Sequence, residues 1–189
     1  YKRQAISSGP LCVRLICRGG RPMPLKKAYL GLGSNLGDRL GQLRAALELL
    51  ELKYPIHTVC VSPIYENRAI GMQGEDFLNA VAEVATELDP QDLLDACLFV
   101  ESSMGRMRFA EWTSRTIDLD ILIYENIDFK TERLTLPHPH LTKRDFVIQP
   151  LFDIAPELLV DGRLLCDWLK DLTEIGLRKY PKPLSEDLN

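Results

Sequence analysis

From Ala28 onward the apolar positions change rhythm several times, and each change predicts an element. Ala28-Tyr29-Leu30-Gly31-Leu32-Gly33 predicts a short strand that ends in a glycine-containing loop. Leu40, Leu43, Leu47 and Leu50 then recur at three- and four-residue spacing, which predicts a helix capped by Asp38 and closed by Pro55. Thr58–Tyr65 and Leu78–Leu88 read as strands, separated by a loop that carries Gly71 and Gly74. Asp89-Pro90 sets a cap residue before a first-turn proline, so a second helix is expected from there to about Met104, stopping at Gly105. Thr116–Tyr124 is the clearest strand. Ile117, Leu119, Ile121 and Ile123 are expected on one face, with Asp118, Asp120 and Tyr124 on the other. A turn marked by Pro137 and Pro139 and a short helix over Phe146–Phe152 follow.

The order strand–helix–strand–strand–helix–strand predicts an α+β fold with a ferredoxin-like split βαβ core, an antiparallel sheet flanked by helices. Residues 1–25, rich in glycine, proline and arginine, read as a flexible leader or linker, with Met23 a candidate start and a targeting peptide the alternative. Residues 26–175 form the expected domain and 176–189 a C-terminal tail. The chain is long enough for one domain with a real core. Its net charge of −4 gives no support to a nucleic-acid or membrane-surface role. The five cysteines form no Cys-x-x-Cys pair, and no apolar run approaches the ~18 residues of a membrane span. Reduced thiols and a cytoplasmic location are therefore expected.

Asp118-Leu119-Asp120 is the strongest chemical signal. Two positions apart on a strand, both carboxylates project from one face, where they repel unless a cation lies between them. Mg²⁺ takes one or two carboxylates plus waters and phosphate oxygens, which suits such a pair. The bland alternative is a solvent-facing polar edge. Arg106, Arg108 and Arg115 precede the pair around Trp112, and the guanidinium fork suits phosphate oxygens. A solvated basic loop is the bland alternative there. Together the two features point to phosphoryl-type transfer from a metal-bound nucleotide. Gly31-Leu32-Gly33-Ser34-Asn35-Leu36-Gly37 is neither a dinucleotide fingerprint nor a Walker loop, because Leu36 takes the third glycine's place and no Gly-Lys-Ser/Thr follows. His138, between Pro137 and Pro139, would by itself be a turn residue.

Taken together, Gly31–Asp38, Phe77-Leu78-Asn79, Glu101 with Gly105-Arg106, Arg115-Thr116-Ile117-Asp118-Leu119-Asp120-Ile121, and Pro137-His138 with Arg144-Asp145-Phe146 resemble the 6-hydroxymethyl-7,8-dihydropterin pyrophosphokinases of folate biosynthesis. The resemblance runs over roughly residues 27–165. It implies transfer of the β,γ-diphosphate of ATP to the pterin's hydroxymethyl group, with release of AMP. Asp118 and Asp120 would bind two Mg²⁺ ions with ATP, and Arg106 and Arg115 would be catalytic loop arginines. Glu101, Arg108, Trp112, Ile121, Leu134, Thr135, His138 and Arg144 match positions around the nucleotide. Asn67, Arg68, Ile70, Phe77, Asn79, Trp112 and Phe146 match the pterin side, with Phe77 and Phe146 sandwiching the ring. The resemblance also implies a monomer or one part of a folate-enzyme fusion.

The chain departs from the family pattern at Leu98, where glutamine is common, and at Asn67, Arg68 and Ile70 in the pterin wall. The loop between Arg108 and Arg115 looks a residue shorter than in some relatives. Three alternatives stay open on the residues alone. They are an ADP-forming kinase, an inactive binding module, and an RNA-binding ferredoxin-like domain, the last of which would need a basic, aromatic sheet face.

Overall fold

The computed structural model describes residues 24–68, 76–105, 116–125, 127–172 and 176–184. The elements in chain order are β1 (Lys26–Ser34), α1 (Arg39–Lys53), β2 (Ile56–Val61), β3 (Tyr65–Asn67), β4 (Phe77–Thr86), α2 (Pro90–Ser103) and β5 (Asp118–Tyr124). After them come the hairpins β6 (Phe129–Lys130) with β7 (Thr135–Leu136) and β8 (Leu159–Val160) with β9 (Arg163–Leu164). A 3₁₀ turn (Leu141–Lys143), helices α3 (Asp145–Ile154) and α4 (Leu165–Asp171) and the last strand β10 (Arg178–Lys179) complete the described elements.

The main sheet has six strands in the order β10-β3-β4-β1-β5, with β2 also paired to β4. Every pairing is antiparallel. Strand β1 lies between β4 and β5, and β2 and β3 lie beyond β4, which is the split βαβ arrangement expected from the sequence.

Alternation along the strands divides their side chains between two faces. Ala28, Leu30 and Leu32 of β1, Leu78, Ala82 and Val84 of β4, and Leu119 and Ile121 of β5 pack with Leu43, Leu47 and Leu50 of α1 and Leu93, Ala96 and Val100 of α2. Burying each leucine stabilises the fold by about 1.5–3 kcal/mol relative to leaving it in water. The opposite face is covered only in part. Tyr29, Val81 and Leu122 meet Ile148 and Leu151 of α3 and Leu165 of α4. The uncovered remainder of that face holds the pocket described below.

Both long helices are set by local chemistry. Asp38 accepts a hydrogen bond from Gly41 N at 3.1 Å and opens α1. Asp89 accepts from both Gln91 N and Asp92 N at 2.9 Å and opens α2, with Pro90 at the first turn. Helix α2 stops as expected at Gly105, whose φ of +84° suits a residue without a Cβ.

Two expectations are corrected. The strand predicted over Thr58–Tyr65 is two strands, because Pro63 has no N–H for the ladder. Ser62 fills the break: its N donates to Val81 O and its Oγ accepts from Val81 N, each at 2.9 Å. The faces predicted for Ile123 and Tyr124 are also exchanged. The register of β1 with β5 slips by one residue between Tyr29 and Leu30, which makes Leu122 an extra residue in β5. Beyond this bulge Ile123 packs toward α3 and Tyr124 turns into the α1–α2 core.

The tail expected over 176–189 contributes β10, which pairs with β3, and buries Leu184 in the α1–α2 core. The expected leader lies outside the described residues up to 23, as do the loop glycines Gly71 and Gly74. Among the described residues no helix is long and apolar enough to cross a membrane. Cys60, Cys97 and Cys166 are free thiols, and burial pushes the Cys97 thiol far above its ordinary value, with the charges of Glu101 and Asp120 adding to the shift.

Candidate active site

A cavity of about 390 Å³ opens on the partly covered face of the sheet. Gly31 and Gly33 of β1 form its floor, Asn79 and Phe77 of β4 one side, and Asp118 and Asp120 of β5 the other. Asn67 and Arg68 close it near β3, and Arg144, Phe146 and Val147 close it at the start of α3. One cavity therefore holds five of the pterin-side residues expected from the sequence and both expected metal carboxylates.

Register explains this grouping. Gly33 pairs with Asn79 on one side and with Asp118 on the other, and Gly31 pairs with Asp120. A Cβ at Gly33 would stand 3.2 Å from Asn79 Oδ1 and 3.8 Å from Asp118 Cβ. The hydrogen there leaves room for both side chains to face one opening. Asn79 is 7% exposed and donates from Nδ2 to Asn67 Oδ1, which leaves its Oδ1 on the Gly33 side.

The outer edge of β5 is held by groups the sequence placed around a nucleotide. Glu101 on α2 is 1% exposed, and its Oε1 accepts from Leu119 N at 2.8 Å. The backbone between the two aspartates is thereby fixed. His138 N donates to Leu122 O at 2.8 Å. Its Nδ1 accepts from His140 N at 3.2 Å, so the neutral ring carries its proton on Nε2. Burial, followed by the charges of Arg144 and His140, pushes the His138 pKa down to about 4 against an opposing effect of Asp118. At neutral pH this ring is an uncharged donor. Ser34 Oγ donates to Thr116 O at 2.6 Å and secures the start of β5.

Other expected residues stand elsewhere. The side chains of Ile121 and Leu134 are buried in the α1–α2 core, away from the cavity lining. Thr135 is on β7, next to Leu134, and does not line the cavity. Arg144, expected near the nucleotide, lines the cavity with Phe146, its guanidinium carbon 5.8 Å from that ring's centre. Arg106, Arg108, Trp112, Arg115 and Ile70 lie outside the described residues. Leu122 and Val147 line the cavity and were not singled out from the sequence. A strand position two beyond Asp120 was the available signal for Leu122.

The donor set fits Mg²⁺. Among the described residues no three His, Cys, Asp or Glu side chains converge as metal ligands. Two carboxylates on a shared cavity wall suit a hard cation that completes its shell with water and phosphate oxygens.

A sequence model of the 7,8-dihydro-6-hydroxymethylpterin-pyrophosphokinase family matches residues 29–156. This chain belongs to that family. The pyrophosphokinase domain is 40% identical over 156 residues to the 2-amino-4-hydroxy-6-hydroxymethyldihydropteridine pyrophosphokinase of Methylorubrum extorquens, covering 82% of this chain and 99% of that relative. It is 41% identical over 149 residues to the Haemophilus influenzae protein of the same name, covering 78% and 93%. It also resembles a stretch of the folic acid synthesis protein of Schizosaccharomyces pombe, at 38% identity, spanning 22% of that longer chain. Among solved structures, an HPPK-DHPS complex with substrates shares the fold with a TM-score of 0.62 at 17% identity, covering 78% of this chain and 43% of that one.

Proposed function

We propose that this pyrophosphokinase transfers the β,γ-diphosphate of ATP to the hydroxymethyl group of 6-hydroxymethyl-7,8-dihydropterin and releases AMP, in folate biosynthesis, with Mg²⁺ as the metal. The observation that carries the reading is the placing of Asn79 and Asp118 on either side of Gly33, in one cavity. An amide with paired hydrogen-bonding groups suits the edge of a pterin, and a carboxylate pair suits a metal-bound triphosphate.

In this reaction the hydroxymethyl oxygen bonds to the β-phosphorus. The bond from that phosphorus to the α,β-bridging oxygen breaks, AMP leaves with the bridging oxygen, and the hydroxyl proton is released. Phe77 and Phe146 hold the flat ring by stacking, while Asn79, oriented by Asn67, reads its edge. Asp118 and Asp120 would hold Mg²⁺. When bound there, the ion would polarise phosphate oxygens and lower the pKa of the attacking hydroxyl. Glu101 fixes the backbone between the aspartates. Arg144 and the neutral His138 offer donors to phosphate. Arg106, Arg108, Trp112 and Arg115 are proposed for the triphosphate on the family pattern alone. The three described free thiols suit a reducing compartment, and we place the enzyme in the cytoplasm.

The test is product identification after incubation with ATP, Mg²⁺ and the dihydropterin. Pterin-dependent AMP, abolished by chelation of Mg²⁺, is the expected result. Pterin-dependent ADP, or no nucleotide product at all, would overturn the proposal.

A further inference from the structure

Three pocket residues share a feature in the chain. Asn67, Phe77 and Phe146 are each directly preceded in the chain by an acid, namely Glu66, Asp76 and Asp145. All three acids are gripped by the same short stretch near the C-terminus. Gly176 N donates to Asp145 Oδ2 at 3.1 Å. Arg178 donates from Nη2 to Glu66 Oε2 at 3.2 Å and to Asp76 Oδ2 at 3.0 Å.

We infer that residues 176–184 are a positioning strap for the pterin side of the pocket, with Arg178 its key positioning residue. This inference rests on the pterin reading of that side. The strap is anchored at both ends. At its start Gly176 ties it to the residue before Phe146. Farther along, Tyr180 N donates to Ile64 O at 2.8 Å, and β10 pairs with β3 in the register Arg178↔Glu66 and Lys179↔Tyr65. At its end Arg44 of α1 donates from Nε to Leu184 O at 2.8 Å and from Nη2 to Pro183 O at 3.0 Å, while Leu184 is buried.

Arg178 does not grip alone. Arg39, in the first turn of α1, donates to Glu66 Oε1 at 2.9 Å and to the Asp76 carbonyl. The two arginines bridge the same two residues, so β3 and the start of β4 are fixed relative to one another. The effect reaches the pocket through Asn67, which follows Glu66 and accepts from Asn79 Nδ2. Because β3 spans only Tyr65–Asn67, it has little ladder of its own and depends on its flanks for rigidity. The strap lies beyond residue 156, where the family match ends, so nothing in that match assigns it.

The Arg178 side chain is 69% exposed, so its removal should leave global stability nearly intact while loosening the wall. The experiment compares the full chain with Arg178→Ala and Arg178→Lys. For Arg178→Ala we expect the dihydropterin KM to rise about fivefold to tenfold, with kcat and the KM for ATP within about twofold of the parent. Arg178→Lys should recover part of the loss. Hydrogen exchange provides the readout that does not depend on turnover: the amides of Asn67 and Phe77, which follow the two acids that Arg178 holds, should exchange faster in Arg178→Ala. Unchanged exchange at both amides would overturn the strap. An unchanged pterin KM in an active enzyme would do the same, as would equal losses for both substrates. If the parent protein makes no AMP, the reaction proposed above falls, and the exchange measurement still decides whether the strap exists.

Discussion

Leu119 donates its backbone N–H to a carboxylate oxygen of Glu101, 2.8 Å away and shut off from water. Leu119 stands between Asp118 and Asp120, so this bond holds the strand backbone between the two aspartates. Glu101→Ala leaves a buried N–H without that acceptor, which costs about 1–3 kcal/mol. Calorimetric unfolding should show the loss. The kcat should fall roughly a hundredfold, because small displacements of reacting groups carry penalties of that size. Glu101→Gln keeps an oxygen acceptor and should retain more activity than the alanine variant; equal loss in the two would count against the positioning role.

Asp118→Asn and Asp120→Asn remove one negative charge each from a pair that shares a wall. Turnover should drop by roughly a hundredfold or more in either variant. A normal kcat with Mg²⁺ present would sink the metal assignment.

Gly33→Ala sets a methyl 3.2 Å from Asn79 Oδ1, and Asn79 has little freedom to retreat because Asn67 holds its amide nitrogen. The expected effect is a rise of about tenfold in the dihydropterin KM, equivalent to about 1.4 kcal/mol. Steady-state kinetics check it. A normal KM would show that Asn79 moves aside freely.

His138 ties stability to pH. Its folded pKa lies near 4, below the ordinary value of 6.5, so the unfolded chain binds the extra proton first as pH falls. The contribution is fully present above pH 6.5 and is lost progressively as pH falls toward 4. For this half-buried ring it amounts to about 1–2 kcal/mol once solvent screening is allowed for. Denaturant unfolding from pH 7 to pH 4 should show a steeper decline for the parent than for His138→Gln. Parallel curves would contradict the shift.

Much of this architecture is legible from local rules alone. The caps at Asp38 and Asp89, the stop at Gly105 and the paired aspartates of β5 depend on neighbours within a turn or a strand. The family motifs located most of the described pocket. Hidden from the sequence were the features that depend on remote partners. Nothing near Arg178 announces that it meets Glu66 and Asp76, and nothing near Leu122 announces the slip that exchanges Ile123 and Tyr124. Glu101 was assigned toward the nucleotide by resemblance, while its described contact is with the strand that carries the aspartates.

The pairing of Gly33 with both Asn79 and Asp118 makes the central strand a ruler. Two adjacent strand spacings of about 4.8 Å separate the backbone that carries the Asn79 amide from the backbone that carries the Asp118 carboxylate. Backbone ladders set that interval, and they are among the stiffest parts of a domain. In the proposed reaction an acceptor is therefore gauged by length as well as by ring chemistry. A pterin whose hydroxyl stood one carbon farther from its ring would bring its oxygen past the point where a metal on the two carboxylates would hold the phosphates, and the strand spacing would not change to bring it back.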